Sequence, residues 1–385
     1  MVAGYRYYVG DLRTGKITRQ VDLTGGSWSL PLGEPGSLEG SFPLASGEWN
    51  SARSDAAAGK AFLAVAYVNA AGDETMLEAG PIWKSSCPWE TSVLSLSASG
   101  LHSYFDHRKV LRVLAAGETP SDVEETYTGA QLGLIAKRLV QLAQTHTGGN
   151  LPIVLPSDAD LGGTGTDQER TYPGYELAWV GERLKQLSEV EGGPEIQFVP
   201  RRRTDDPRFI EWVMRIGVAP SMLLTQSGRP WSWDTSVPKS HVRGISVSSD
   251  GSRMAFRQFA AGQGQAEGRP IAVAEDLSLI TGSANFALLE GEVGATDAVE
   301  DADLLPQYAS AALAYSQRPV ESWTATVSRD GMPTVGQLRP GDWASFVIRD
   351  HVFIPNGTYS MRVLSVAGGD SDAVTLTLSE RLGEF

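Results

Sequence analysis

Two distant parts of this chain carry the same order of three short apolar segments separated by turns. From Lys60, just before the first segment of the earlier set, to Val93, in its third segment, is 33 positions. The corresponding interval from Asp342 to Val374 is 32 positions. The earlier segments are Ala61–Val68, Met76–Lys84 and Val93–Ser97, and the later ones are Trp343–Ile348, Tyr359–Val366 and Val374–Leu378. The pattern predicts one small β-module present twice, unless two common three-strand meanders match by chance.

A chain with two similar modules suits assembly into a closed ring. If three copies associate with cyclic symmetry, the two modules of each copy give six similar units around one axis. Two copies of a repeat are too few for a solenoid, in which many repeats stack in a row. A homotrimer of such a chain would therefore have pseudo-sixfold symmetry.

The composition is that of a β-rich chain with substantial hydrophobic cores. Hydrophobic residues make up 41% of the 385 residues, far from the composition of disordered chains. The 42 Gly and 21 Pro residues are spread between short apolar runs, as turns between strands require. In the first hundred residues, Tyr5–Val9, Lys16–Leu23 and Ser37–Leu44 are typical of short strands in a barrel or sandwich.

The middle of the chain changes to helical periodicity. Apolar residues recur every three or four positions at residues 128–148 and again from about Tyr175 to Glu191, which predicts two amphipathic helices. The segments Glu195–Val199 and Phe209–Ile216 follow as predicted strands. This part is therefore predicted to be an α+β unit.

These segments predict a mainly β fold with an α+β part: two similar small β-barrel or sandwich modules flank a central α+β domain. A third helix is predicted at residues 303–315, and a hairpin is predicted from His241–Val247 and Arg253–Phe259. The predicted domains are residues 1–108 for the first module, residues 109–217 plus roughly 253–318 for the α+β domain, and roughly 218–252 plus 319–385 for the second module.

The charge and the cysteine content exclude several classes of protein. A net charge of −14 argues against stable or sequence-specific nucleic-acid binding, which relies on Lys and Arg at phosphates. An acidic surface suits a conduit through which DNA slides, but on charge alone the preferred interpretation is that it keeps the protein soluble. The single cysteine, Cys87, excludes an intrachain disulfide and fits synthesis in a reducing cytoplasm. No signal peptide is expected at Met1–Leu12, and no apolar stretch predicts stable membrane insertion.

Catalytic, cofactor-binding and metal-binding residues are not predicted. His102 and His107 are five positions apart, which does not place them on one helical face. Asp205–Pro207 is typical of a turn, and the acids of Glu300–Asp303 precede the third helix, where they favour the helix dipole. No phosphate-binding loop with Gly-Lys-Ser or Gly-Lys-Thr occurs. The sequence therefore predicts a protein that is not an enzyme.

Candidate interface residues are one basic run and three tryptophans. They are Arg201, Arg202, Arg203, Trp28, Trp231 and Trp233. The basic run either contacts a phosphate or an acidic neighbouring subunit, or forms a solvated hairpin tip opposite Asp205 and Asp206. The alternating pair Trp231 and Trp233 lies either in an interface, where aromatic residues are enriched, or on one face of a packed sheet.

Short motifs follow one another in a recognisable order along nearly the whole chain. They are Asp11–Lys16, Gly26–Ser29, Pro35–Leu38, Phe42–Leu44, Gly80–Trp83, Ser103–Arg108, Asp250–Ser252, Ala261–Gly264 and Arg339–Asp342. No single motif is specific. Their order resembles that of minor tail proteins of actinobacterial siphophages, which are similar to the hub proteins at the centre of phage baseplates.

The resemblance implies a structural protein of the virion tail tip. It implies two barrel domains around an α+β domain, a homotrimer, and no chemistry of its own. The expected partners are the distal tail protein ring above, the tape measure protein inside, and other minor tail or receptor-binding proteins below. The expected function is a hub that ends the tail tube as a pseudo-sixfold ring and gates the passage of tape measure protein and DNA.

Two other functions stay open at this level. One is a tail-associated cell-wall hydrolase that uses scattered carboxylates or histidines, and the other is an adhesin that binds host glycans through exposed tryptophans. Some relatives extend at the C-terminus into a peptidase, a lysin or a fibre. Because Phe385 follows closely on the last predicted strand, no such extension is expected here.

Overall fold

Strands form where apolar and polar residues alternate in the first hundred residues. The computed structural model describes residues 3–44, 52–161, 168–190, 192–262, 269–293 and 305–382. The first elements are β1 (Gly4–Asp11), β2 (Ile17–Val21), β3 (Thr24–Pro31), β4 (Ser37–Pro43), α1 (Ala52–Asp55), β5 (Ala61–Val68), β6 (Glu74–Ser86) and β7 (Val93–Ser99). In β4, Leu38 and Phe42 are buried while Ser37 and Glu39 are exposed, so the strand has one core face. The predicted mainly β character is confirmed.

The middle of the chain contains both helices and strands. Its elements are β8 (Glu124–Tyr127), α2 (Leu132–Gln144), β9 (Ile153–Val154), β10 (Arg170–Pro173), α3 (Val180–Glu189), β11 (Ile196–Arg202) and β12 (Ile210–Ile216). The apolar positions that predict α2, including Leu132, Ile135 and Leu139, are buried. The second helix begins at Val180 rather than near Tyr175. Leu177 adopts a left-handed conformation (φ 47°), which interrupts any helix before it.

The last part of the chain returns mainly to strands. Its elements are β13 (Trp231–Asp234), β14 (Val242–Asp250), β15 (Arg257–Ala261), β16 (Ile271–Glu275), α4 (Ser278–Thr281), β17 (Glu290–Val293), α5 (Leu305–Ser316), β18 (Val320–Ser328), β19 (Trp343–Ile348), β20 (Gly357–Gly369), β21 (Ala373–Leu378) and β22 (Arg381–Leu382). The predicted third helix corresponds to α5, and its first two predicted residues, 303 and 304, lie outside the described residues.

The predicted hairpin of His241–Val247 with Arg253–Phe259 is wrong. The neighbour of β14 is β18, whereas β15 pairs with β16 and β17. The Asp250 carboxylate accepts a hydrogen bond from the backbone N–H of Ser252 (2.8 Å). This local turn ends β14, and the chain then leaves the ladder instead of folding back along it.

The chain divides into two compact units. One consists of Met1–Gly244 and Ala325–Thr377, and the other of Ile245–Thr324 and Leu378–Phe385, so the boundary falls inside β14 and β18. In the second unit, α5 packs Leu305 and Ala309 against Ala260 of the sheet β16-β15-β17. The predicted division into three domains stays a prediction.

The largest sheet contains strands from both ends of the sequence. Its order is β14-β18-β21-β20-β3-β4-β7-β6-β5-β1-β2, with β19 also beside β20, β13 beside β19, and β22 beside β18. Smaller sheets have the orders β10-β8, β11-β12-β9 and β16-β15-β17. Among the residues that the structure describes, no sheet closes into a barrel.

One core joins the N-terminal strands to the α+β part of the first unit. It includes Phe62 of β5, Leu139 of α2, Leu184 of α3 and Trp212 of β12. The rings of Phe62 and Trp212 meet edge to face with centroids 5.9 Å apart. The indole N–H of Trp212 donates to the carbonyl oxygen of Ala79 in β6 (2.8 Å). Trp212 therefore attaches the hairpin β11–β12 to the sheet through both packing and a buried hydrogen bond.

We expect Trp212→Ala to lower the free energy of unfolding by about 3–5 kcal/mol, because it leaves a large cavity. It also leaves the carbonyl of Ala79 without its donor. Trp89→Ala is a matched control, since 93% of Trp89 is exposed, and it should change stability by less than about 0.5 kcal/mol. Urea unfolding followed by circular dichroism measures both. Equal stability of the two variants would contradict the assigned role of Trp212.

Candidate functional site

The two three-strand segments that the sequence repeats form equivalent units in the structure. In the first, β6 lies between β5 and β7, and in the second β20 lies between β19 and β21. The middle strands β6 and β20 each contain 13 residues. In each unit, the beginning of this long strand pairs with the preceding strand and its end continues past it.

The equivalence extends to six strands. The path β3-β4-β7-β6-β5-β1 has the same succession as β14-β18-β21-β20-β19-β13. We call the first set module A and the second set module B. One pair differs: β1 runs antiparallel to β5, whereas β13 runs parallel to β19. The duplication is therefore more extensive than the three segments that the sequence pattern predicts.

Burial sets the alignment between the two modules. In β7 the buried residues are Leu94, Leu96 and Ala98, and in β21 they are Val374, Leu376 and Leu378. Residues that face the core must correspond, because a shift of one position turns a side chain to the other face of the sheet. Leu94 therefore matches Val374, one residue later than the sequence alignment of Val93 with Val374.

The two modules join through direct strand pairing, which we call the internal seam. Ser365–Gly369 of β20 pairs antiparallel with Ser27–Pro31 of β3. Asp370 follows β20, and its carboxylate accepts hydrogen bonds from the backbone N–H groups of Gly25 (2.7 Å) and Gly26 (3.0 Å). The seam therefore satisfies backbone groups along β3 and just before the paired stretch.

Trp28, one of the predicted interface residues, packs in this seam within a single chain. A Cβ atom at Gly368 would lie 2.5 Å from a ring carbon of Trp28, so a glycine is needed at that position. The rings of Trp28 and Tyr5 meet edge to face with centroids 5.6 Å apart. Trp28 is buried and contributes apolar packing at the contact between the modules.

Each module also has an edge that has no strand beside it in the described residues. In module B this edge is β14, which ends the sheet. In module A, β5 pairs with β6 as far as Pro81, and the N–H of Gly59 donates to the carbonyl of Ile82. Beyond that point Trp83–Ser86 has only β7 as a neighbour. The exposed Cys87 follows directly.

The strands β3, β4, β7 and β21, which we call the seam strands, have a solvent-facing side that is rich in hydroxyl groups. In module A it carries Ser29, Ser37, Ser41, Ser95, Ser97 and Ser99, together with Glu39. Ser29 and Ser37 lie 2.8 Å apart, and Ser41 and Ser95 lie 2.7 Å apart, measured between their Oγ atoms. In β21 of module B, Thr375 and Thr377 occupy the same face. This face is polar, and in module A its charged groups include Glu39 and Lys84, which line one shallow pocket with the serines.

The tryptophans of β13 differ in their surroundings. Trp233 is buried and stacks on Phe346 with an angle of 9° between the rings and centroids 5.2 Å apart. Trp231 is half-buried, and its indole N–H donates to the carboxylate of Asp342 (2.9 Å). Trp233 is part of the packing of module B, whereas Trp231 faces a cleft that Arg201 also lines.

The three consecutive arginines all have acidic partners in the same chain. Arg201 donates to Glu211 (2.7 Å), Arg202 donates to Glu74 (2.7 Å), and Arg203 pairs with Asp205. The predicted opposition between the basic run and the acidic turn thus holds for Arg203. Within the described residues, the structure brings Arg201 and Trp231 to one cleft but does not gather all six candidates at one place.

The described residues that are considered for catalysis have separate surroundings. Burial lowers the pKa of His102, whose ring packs against Phe198, while His107 stacks on Trp83. Hydrogen bonds from Arg208 lower the pKa of Asp206 to about 2. Glu300–Asp303 lies outside the described residues. Elsewhere in the described chain, no three His, Cys, Asp or Glu side chains group as metal ligands, and no helix is long and apolar enough to span a membrane.

A buried acid near the seam is not among the residues that the sequence analysis identifies. Glu78 of β6 lies against Gly36 and Gly100, where a Cβ atom on Gly36 would be 2.2 Å from its carboxylate oxygen. Burial raises the pKa of Glu78 to about 8, although the N–H of Ala79 and the charge of Arg339 act in the opposite direction. The signal in the sequence is a lone acid between apolar residues in Met76–Gly80.

We expect the stability of the protein to depend on pH through Glu78. Because the folded state holds the proton more tightly than the unfolded chain (pKa 4.5) does, the free energy of unfolding falls as pH rises from about 4.5 to about 8. Glu78→Gln removes this titration and should flatten the profile between those limits. Urea unfolding at several pH values compares the two proteins, and parallel profiles would contradict the assignment.

Comparison with known proteins places the fold. No protein-family model and no curated protein sequence matches the chain. A tail protein from Neisseria meningitidis MC58 is similar in structure, with a TM-score of 0.55, 14% identity, and coverage of 98% of this chain and 97% of that chain. The 43 kDa tail protein of prophage MuSo2 from Shewanella oneidensis gives a TM-score of 0.53, 12% identity and 98% coverage of both chains. A chain of the Francisella PdpA–VgrG complex gives 0.53 and 8% identity, covering all of this chain and 59% of that one. The chain therefore has the fold of these tail proteins.

Proposed function

We propose that this protein is a structural, non-enzymatic subunit of a phage tail tip, in which three copies form a closed ring of six modules. The observation that carries the proposal is the duplicated six-strand module together with its internal seam. The shared fold with phage tail proteins supports a role in a tail or baseplate. The resemblance of the sequence motifs to actinobacterial siphophage minor tail proteins supports the same role.

The internal seam provides the model for contacts between copies. Within one chain, the edge strand β3 of module A pairs with the end of β20 in module B. Their equivalents are β14 in module B and the end of β6 in module A, each of which has an edge with no strand beside it among the described residues. Pairing β14 of one copy with β6 of the next would repeat the same contact. With three copies, this contact closes a ring in which every seam is of one kind.

The hydroxyl-rich face of the seam strands supports a role as a conduit. It presents mainly short hydroxyl side chains, and the protein as a whole has a net charge of −14. Such a lining offers few cations to hold phosphate groups, so DNA would pass without stable binding. We propose that this face lines the opening, with the tape measure protein inside, the distal tail protein ring above, and other minor tail or receptor-binding proteins below.

The described carboxylates support a non-enzymatic role. Glycoside hydrolysis needs two carboxyl groups facing each other across a cleft. Asp205 and Asp206, the acid pair considered from sequence, are both engaged by neighbouring arginines on an exposed turn. Their pKa values are lowered, which is opposite to what a general acid requires.

The primary test is the mass and symmetry of the purified protein. Light scattering should give three times the mass of the 41.2 kDa chain, and electron microscopy class averages should show a ring with three- or sixfold features. A monodisperse monomer at high protein concentration, and also in the presence of the neighbouring tail proteins, would contradict the proposal.

The proposed seam between copies can be trapped with the single native cysteine. We expect single cysteine substitutions in β14, at Gly244, Ile245, Ser246, Val247 and Ser248, to form intermolecular disulfides with Cys87 of another copy. Because side chains alternate along a strand and a disulfide needs its two Cα atoms within about 7 Å, efficient cross-linking should be confined to the one or two β14 positions that face Cys87. Non-reducing gels should then show covalent dimers and trimers.

Two controls accompany this experiment. Adding Cys87→Ser should abolish every cross-link that involves Cys87, and Ser157→Cys, on an exposed turn of the α+β part, should not cross-link. A uniform low yield at all five β14 positions, from a protein that is trimeric in solution, would show that the trimer uses other edges.

A further inference from the structure

A cleft in the first unit combines two arginines with an apolar floor. It lies between the hairpin β11–β12 on one side and, on the other, β13 with the segment that leads into β19. The cavity has a volume of about 540 Å³, which is within the range of sites for small ligands and short peptides. Its lining includes Val199, Arg215, Trp231, Arg339 and Asp342.

The floor of the cleft is the outer face of a two-stranded ladder. Phe198 and Trp212 point into the protein core, so the alternate residues point the other way. Val199 pairs with Val213 and forms an apolar floor, and Arg215 lies across from Gln197 at one end of it. The hairpin thus presents two valines with an arginine beside them.

Arg215 and Arg339 outnumber the one carboxylate that lines the cleft, Asp342. Among the described residues, the guanidinium groups of Arg215 and Arg339 have no hydrogen-bond acceptor or ion-pair partner, whereas Arg201 at the rim is bound by Glu211. Burial and the nearby charge of Arg215 both lower the pKa of Arg339. Two arginines that repel each other in a partly enclosed site favour the binding of an anion.

The one carboxylate that lines the cleft, Asp342, offsets only part of the positive charge of the two arginines. Asp342 accepts hydrogen bonds from the indole N–H of Trp231 (2.9 Å) and from the backbone N–H of Arg339 (3.0 Å). The other nearby acid is Glu78, and its pKa of about 8 keeps it mainly protonated at neutral pH. The cleft therefore retains a net positive charge in a protein whose total charge is −14.

We propose that this cleft binds an acidic side chain carried by a peptide segment of another protein. Arg215 and Arg339 would hold the carboxylate, because a guanidinium group presents paired N–H donors to two oxygens. The valine floor would hold the apolar part of the segment.

This inference is independent of the proposed ring, because all lining residues belong to one chain and one unit. The test uses a blocked peptide with one glutamate between two valines, and the same peptide with glutamine. At constant ionic strength, we expect the glutamate peptide to raise the melting temperature and to bind at least tenfold more tightly by calorimetry than the glutamine peptide. Equal affinities would overturn the proposal.

Substitutions locate the site. Arg215→Gln and Arg339→Gln should each weaken binding of the glutamate peptide at least tenfold, while Arg215→Lys should lose part of the affinity because it keeps the charge without the paired donors. Arg253→Gln is the control, since it removes the same charge from an exposed position in the second unit. Unchanged binding in both glutamine variants would exclude this cleft.

The melting temperature without ligand separates a binding role from a structural one. If the two arginines are placed for a ligand, Arg215→Gln relieves repulsion and should leave the melting temperature equal or higher. A clear decrease would indicate that Arg215 stabilises the fold and would contradict the inference. Inorganic phosphate serves as a competitor, and stabilisation by phosphate equal to that by the glutamate peptide would show a general anion site instead.

Discussion

The pairing of β3 with β20 is the interaction on which the arrangement of the two modules depends. Each module alone would end in a strand with unpaired backbone N–H and C=O groups. Such an edge can pair with strands of other chains and cause aggregation. The internal seam covers one such edge in each module, adds the Asp370 carboxylate as an acceptor, and buries Trp28 against Gly368. Among the described residues, β14 and the end of β6 have equivalent edges that no strand of the same chain covers. Assembly of identical copies is the simplest way to cover them.

A second constraint holds the α+β part against module B within the first unit. Arg362 of β20 makes a two-pronged ion pair with Glu195, which precedes β11, and also donates to the carbonyl oxygens of Gly341 (3.0 Å) and Leu224 (2.7 Å). Glu195 in turn accepts from the N–H of Leu224 (2.7 Å). A buried pair with its donors and acceptors satisfied resists disruption, because removing one partner leaves an uncompensated charge. This network fixes the two walls of the arginine-lined cleft, so that the cleft is formed before any ligand arrives.

The sequence predicts local elements well and long-range partners poorly. Alternation and turn residues predict the three repeated segments of each module, and helical spacing predicts α2. Helical spacing also predicts α3, but its start is placed about five residues too early, because a left-handed Leu177 leaves no mark in the apolar pattern. The hairpin of β14 with β15 is wrong because a turn signal near Asp250 fits either a return along the strand or a departure from it. The β3–β20 seam joins residues from opposite ends of the chain, and local patterns carry no information about such a partner.

The residues of the arginine-lined cleft are also predicted only in part from the sequence. Trp231 and Arg201 stand out in the sequence, and both line the cleft, but Arg215 and Arg339 do not stand out, because single arginines in strands and loops are ordinary. Only the folded structure places them together and shows that no acid pairs with them. Likewise, Glu78 is unusual only once its burial is known.

The differences between the two modules also carry information. They match in the strands that form or border the seam: β3 with β14, β4 with β18, β7 with β21, and β6 with β20. They differ in the outermost strand, since β1 is antiparallel to its neighbour whereas β13 is parallel to its own. A ring of six similar units requires equivalence only where the units meet. The outer strands can then take different roles, and β13 in fact supplies Trp231 to the arginine-lined cleft, for which module A has no counterpart among the described residues. In the proposed ring, such a division would let a threefold assembly present a nearly sixfold inner surface while each copy keeps its own arginine-lined cleft.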